Sequence, residues 1–158
     1  MTVSCDFSQD LDAVLSKLKD ESFRRQRCAA LHEDMLSFAI AEEGDGFVVT
    51  MSRNVRRELP SVLAKVFSSV QTLDFEERWW PVGDGWQGSL KMDIRSQPAT
   101  VKGDFSLMPT AKGCRYQIEH RCNAKIPLIG GKVEKYVCAQ TDGGAEAELQ
   151  YLHSELVS

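Results

Sequence analysis

From Phe47 to Cys122 the chain alternates apolar and polar residues in short runs separated by turn residues, and one long helical segment follows. No other feature restricts the fold as much. A strand turns successive side chains to opposite faces, so each run describes a strand with one buried and one solvated face. Phe47, Val49, Met51 and Arg53 share a face of one run, and Leu73, Phe75, Glu77 and Trp79 share a face of the next. Leu90, Met92 and Ile94 follow, then Val101, Phe105 and Leu107, then Cys114, Tyr116, Ile118, His120 and Cys122. Gly44-Asp45-Gly46, Asp84-Gly85 and Ala111-Lys112-Gly113 stand where hairpins turn, and Gln97-Pro98 ends a strand. Strands joined in this way pair antiparallel, with one face of the sheet left in water.

Ahead of this meander, Val3–Phe7 reads as a short strand and Ser8 as the N-cap of a helix over Gln9–Leu18. Asp20 caps a second helix to about Leu31. Leu36, Phe38 and Ile40 alternate as a half-buried strand, and Leu59-Pro60 opens a short helix with Val62, Leu63, Val66 and Phe67 on its apolar side. The final helix runs from about Lys132 to Leu156, roughly 37 Å at 1.5 Å per residue. Helices that bracket a run of strands cover its apolar face. The expectation is an α+β unit over residues 1–158, with an antiparallel sheet of about six to seven strands against one long helix.

Phe23 after Asp20, Leu59-Pro60, Glu77-Arg78-Trp79 and above all Ile126-Pro127-Leu128-Ile129-Gly130-Gly131-Lys132-Val133-Glu134-Lys135 resemble the bacterial family named domain of unknown function 2505. The order of elements resembles the helix-grip fold of the START-like (SRPBCC) superfamily, and the similarity covers nearly the whole chain. The resemblance implies a curved sheet wrapped on the C-terminal helix, commonly with a hydrophobic or lipid-like ligand between them. Some members of the superfamily are enzymes and others bind partner proteins. Gly143-Gly144 departs from the pattern, because related chains favour Ala, Leu or Glu there.

A chain of 158 residues can build a core without disulfides or metal. Its net charge of −4 argues against nucleic acid or an anionic membrane as the main partner. No apolar run approaches the ~20 residues of a membrane span. The first residues lack the basic and apolar segments of a secretion signal, so a cytoplasmic location is expected. Five widely spaced cysteines suggest free, mostly buried thiols. No metal spacing, nucleophile motif or phosphate loop is present, so no cofactor, metal or catalytic residue is assigned. Trp80 must face away from Trp79 and is a candidate oligomer contact in a monomer or weak homodimer.

Candidate ligand-binding residues come from three places. On the long helix, Val133, Val137, Gln140, Gly144, Ala147 and Tyr151 fall on one stripe. Gln140 and Gly144 suit a dry core poorly. Gly144 is expected to leave room beside a small apolar ligand and Gln140 to meet its polar end; the alternative is a kink or a close strand. Arg53 and Glu77 project from adjacent strands and are expected either to pair inside, anchoring a carboxylate or hydroxyl, or to pair at the rim in solvent. His120 shares a face with Tyr116, as a pocket residue or a hydrogen-bonded core histidine. With Met51, Trp79 and Met92 from the inward faces, these complete the candidate site. The rival readings are an enzyme (cyclase, dehydratase or hydrolase) using His120, Glu77 and Tyr116, and a protein-interaction module with a filled core. Arg24, Arg25 and Arg27 read as a solvated helix face or as ion-pair partners. Arg56-Arg57 reads the same way, or as a basic flank to the pocket entrance.

Overall fold

The computed structural model describes residues 2–157; Met1 and Ser158, the ends of the expected unit, lie outside it. The elements in chain order are β1 (Thr2–Phe7), α1 (Leu11–Lys19), α2 (Glu21–Ala30), β2 (Asp34–Glu43), β3 (Gly46–Arg56), β4 (Val70–Val82), β5 (Gly85–Ile94), β6 (Ala99–Thr110), β7 (Gly113–Ala124) and α3 (Gly130–Val157). The strands form one seven-stranded antiparallel sheet in the order β1-β7-β6-β5-β4-β3-β2. The register aligns Phe47 with Trp79, Val49 with Glu77, Met51 with Phe75 and Arg53 with Leu73. Alternation therefore places Arg53 and Glu77 on the inward face, among apolar neighbours. Gly88 lies between Trp79 and Phe105 in the register. A Cβ there would meet both rings at about 3 Å, so the glycine lets them stack at 4.9 Å between centroids.

Capping fixes the helices. Asp10, rather than Ser8, caps α1, because its extended backbone lets Oδ1 accept from Ala13 N at 2.9 Å. Asp20 caps α2 by accepting from Ser22 N at 3.0 Å. The expected short helix after Pro60 is a pair of overlapping turns, with Leu63 N and Ala64 N both donating to Pro60 O. They still bury Leu63 and Phe67. β2 is an edge strand with a bulge between Met35 and Ser37, which breaks the expected alternation. Leu36 is exposed at the bulge and Ile40 at the sheet edge, while Met35 and Phe38 turn partly inward.

The long helix lies against β7, β1 and β6. It buries Val133, Val137, Asp142, Ala145, Leu149 and Leu152, so its core face departs from the predicted stripe beyond Val137. The contact face moves round the helix because the sheet beneath is twisted. The expectation of free thiols fails for one pair. Cys138 on α3 is disulfide-bonded to Cys122 on β7, with their Cα atoms 5.7 Å apart. Cys5, Cys28 and Cys114 are free. The bridge joins residues whose proximity depends on helix docking, which strand spacing alone does not show.

Two apolar clusters make the core. One is largely aromatic, with Phe7, Phe23, Phe47, Trp79, Phe105 and Tyr116. The other is largely aliphatic, with Met51, Val55, Leu73, Met92, Ile94 and Val133 among its members.

Candidate functional site

A cavity of about 50 Å³ lies where the two clusters meet, between the sheet and α3. Leu18, Phe75, Leu90, Met92, Phe105 and Ile118 supply apolar wall, and Arg24, Arg27, Arg53, Glu77, Tyr116, His120 and Glu148 supply the polar part. Arginine and glutamate are rarely buried unless paired. Here each is paired, in two groups.

In the first group, Arg24 and Glu77 form a two-point ion pair at 3.0 and 2.9 Å. Arg24 Nε also donates to Leu18 O at 2.8 Å, and Trp79 Nε1 donates to Glu77 Oε1 at 3.2 Å. Arg24 thereby ties α2 to β4 and to the end of α1. Burial disfavours both charges, yet each partner's charge and hydrogen bonds outweigh it. The Arg24 guanidinium is raised above its ordinary pKa and the Glu77 carboxyl is lowered below its own.

In the second group, Glu148 of α3 faces both Arg27, at 3.4 Å, and Arg53. Arg53 Nη1 also donates to Glu33 Oε1 at 3.0 Å. Burial opposes ionisation of Glu148, but the two arginines overcome it and hold the carboxyl at about 2. Glu33 gains less from Arg53 than burial costs it, so its pKa is raised. Arg53 also lies 5.1 Å from the Phe75 ring centroid.

Three arginines thus face three carboxylates, and the floor of the cavity carries little unmatched charge. What it lacks is acceptors. Among the described residues, Arg27 Nε and Arg53 Nε are buried donors with no protein partner. An unsatisfied buried donor costs on the order of 1–3 kcal/mol.

Beside this floor, His120 Nδ1 meets Asp142 Oδ1 at 2.8 Å, both side chains almost fully buried. The contact joins β7 to α3 and leaves Nε2 as the ring nitrogen for a cavity occupant. Burial, reinforced by the Glu77 charge, pushes the Tyr116 hydroxyl far above its ordinary pKa, so it stays protonated.

The predicted site residues divide accordingly. Arg53, Glu77, Met92, Tyr116 and His120 line this cavity, but Arg53 and Glu77 do not pair with each other. Each takes a partner from a helix or linker instead. Val137 and Gln140 line a second, smaller cavity that shares Met92 and Thr141 with the first. Met51 and Trp79 are buried nearby without lining either. Gly144 lines neither cavity, and α3 runs unbroken through it. A Cβ on Gly143 or Gly144 would meet nothing within 4 Å, and the structure gives no reason for the glycine pair.

The residues that sequence reading missed are Glu33, Asp142 and Glu148, while Arg24 and Arg27 take the ion-pair reading rather than that of a solvated face. Arg24 and Arg27 occupy the same face of α2 as Phe23 and Cys28, at helical spacing. That spacing is the signal that favours ion-pair partners over a solvated face for these two. Arg25 alone of the three is solvated, paired with Glu21 at 3.0 Å.

Among the described residues no group of three or more His, Cys, Asp and Glu could hold a metal ion, and no helix is long and apolar enough to cross a membrane.

Comparison with known proteins fixes the family. The model of a protein of unknown function (DUF2505) matches residues 2–154. The chain belongs to the DUF2505 family. An uncharacterized protein of Mycobacterium tuberculosis, Rv0481c, is 24% identical over 148 residues, covering 87% of this chain and 85% of its own. Among solved structures, TTHA0849 from Thermus thermophilus is similar at a TM-score of 0.62, with 14% identity over 99% of this chain and 96% of that one. The di-domain ARO/CYC StfQ of the steffimycin biosynthetic pathway gives a TM-score of 0.64, with 12% identity over 98% of this chain and 49% of that one. Norcoclaurine synthase from Thalictrum flavum, solved with dopamine and hydroxybenzaldehyde, gives 0.56, with 12% identity over 99% of this chain and 85% of that one. At these identities the likeness establishes the fold, and the fold of this DUF2505 chain is the START-like helix grip.

Proposed function

We propose that this DUF2505 protein binds a small molecule with an apolar body and an oxygen acceptor, held between the sheet and α3. One observation carries the reading: apolar walls meet an ion-paired floor in which Arg27 Nε and Arg53 Nε lack protein acceptors. The combination matches a ligand pocket, mostly apolar with a few placed polar groups. The cavity is partly open and has room for only a few water molecules. A larger guest enters by displacing Met92, whose flexible thioether side chain gives way readily. The polar floor turns the reading away from a bare lipid chain and toward a hydroxyl-, carbonyl- or carboxyl-bearing apolar molecule.

Native mass spectrometry of the purified protein tests this. A retained small molecule, lost in Arg27→Met and Arg53→Met variants that remain folded, supports the reading. A bare chain, together with no thermal stabilisation by a panel of oxygenated apolar compounds, supports a protein-interaction module instead.

A second reading rests on the His120–Asp142 contact. A histidine oriented by a carboxylate beside guanidinium groups is suited to general-base chemistry on a carbonyl compound. Two of the structural neighbours are named as a synthase and an ARO/CYC protein, which agrees with such a role. Exchange of a retained ligand's carbon-bound hydrogen for solvent deuterium, abolished in His120→Gln, would support it. Retention of the same ligand without exchange would leave binding as the function.

A further inference from the structure

The second cavity is smaller, about 20 Å³, and electrostatically unlike the first. Phe67, Leu73, Ile94 and Val137 wall it, and Arg57 is its single charged lining residue. Its other polar groups are mostly engaged. Tyr136 donates its hydroxyl to Glu58 O at 2.8 Å, Gln71 Nε2 donates to Ser68 O at 3.3 Å, and Thr141 donates to Val137 O at 2.8 Å. No carboxylate lies within ion-pairing distance of the Arg57 guanidinium among the described residues. The acids whose charge it feels, Glu33 and Glu148, are both committed to Arg53. Burial accordingly depresses the Arg57 pKa, whereas the paired Arg53 is raised. Arg57 is half-buried, so solvent reaches its side chain.

A cation left unmatched beside an apolar wall attracts an anion. A lone guanidinium gives two parallel N–H donors, which suits a carboxylate, whereas a phosphate dianion calls for a second cation that the lining does not supply. Met92 and Thr141 belong to both cavities, so one displaced methionine joins them. We infer that Arg57 is the anion-binding end of the ligand site, and that the ligand is an apolar carboxylic acid. Its carboxylate sits on Arg57, and its body passes Met92 toward the Arg27 and Arg53 donors. The inference rests on the binding function proposed above and adds the ligand's charge and orientation.

Calorimetric titration of the full chain with octanoate, octanol and octylamine tests it, using the wild type, Arg57→Gln and Arg57→Lys. In the wild type, octanoate is expected to bind about tenfold or more tightly than octanol, with octylamine weakest. Arg57→Gln should remove the advantage of octanoate and leave octanol unchanged, while Arg57→Lys should keep part of it. Octanol binding as tightly as octanoate in the wild type, or an undiminished octanoate preference in Arg57→Gln, would overturn the assignment while leaving the binding function standing. Failure of octanoate and octanol alike to bind would overturn both. Urea unfolding of each variant separates a lost contact from a lost fold.

Discussion

The two cavities under α3 share a wall and differ in how their arginines are treated. At the inner cavity, Arg24, Arg27 and Arg53 are matched by Glu33, Glu77 and Glu148, and the ion pairs lock α2, β3, β4 and α3 together. At the outer cavity, Arg57 has no such partner among the described residues and holds nothing together. A buried charge that is paired costs stability when its partner is removed, whereas a half-buried charge with no protein partner has none to lose. The inner cluster should therefore dominate stability, and Arg57 should dominate ligand charge selectivity.

The largest effect is expected from Glu148→Ala, which strands Arg27 and leaves Arg53 with Glu33 alone. Loss of one partner from a buried pair costs about 3–5 kcal/mol, readable as a lowered urea midpoint. Acid should reach the same contacts without mutation. Because the folded Glu148 carboxyl lies below its unfolded value, its contribution is complete above about pH 4.5 and is lost as pH falls toward about 2. The loss should be roughly 3 kcal/mol, and Glu77, also lowered, adds in the same direction. Circular dichroism at graded pH should show the acid transition weakened in Glu148→Gln.

The Cys122–Cys138 bridge closes a loop of modest length, and its removal in Cys138→Ser should cost about 2–3 kcal/mol. Cys138 adjoins Val137 of the outer cavity and precedes Thr141 of the shared wall, so reduction should loosen α3 over both cavities. Alkylation before and after reductant measures the bridge directly. It also bears on the expected cytoplasmic location, since such bridges persist in oxidising compartments. The smallest effect on stability should come from Arg57→Gln, within about 0.5 kcal/mol of the wild type.

Much of the fold was legible because alternation and turn chemistry are local. The inward faces of β3 to β7, the Gly44-Asp45 and Asp84 turns, the Asp20 cap and the long C-terminal helix all follow from neighbouring residues. The β2 bulge and the edge exposure of Leu36 and Ile40 were not, since alternation does not reveal which strand ends a sheet. The site was legible on its sheet side, where Arg53, Glu77, Tyr116 and His120 each sit at an inward register position. Its helical side was hidden for a physical reason. Arg24, Asp142 and Glu148 occupy core-facing positions that hydrophobic periodicity treats as solvent-facing. The predicted stripe on α3 put Gln140 and Gly144 at its centre, whereas Thr141, Ala145 and Glu148 line the inner cavity. Partners 53 and 95 residues apart in sequence, Arg24 with Glu77 and Arg53 with Glu148, meet only through packing.

Under the proposed function the inner cluster is a binding floor as well as a clamp. Replacing Arg27, Arg53, Glu148 and Glu33 together by Met, Met, Leu and Gln separates the two roles, because uncharged residues of similar volume can substitute for a whole buried ion-pair network without loss of stability, and no carboxylate is then left without its arginine. Calorimetric titration with the ligand retained by the wild-type protein is the measurement. A folded quadruple variant that no longer binds that ligand is expected. Undiminished affinity in the folded variant would mean that the cluster is a clamp alone.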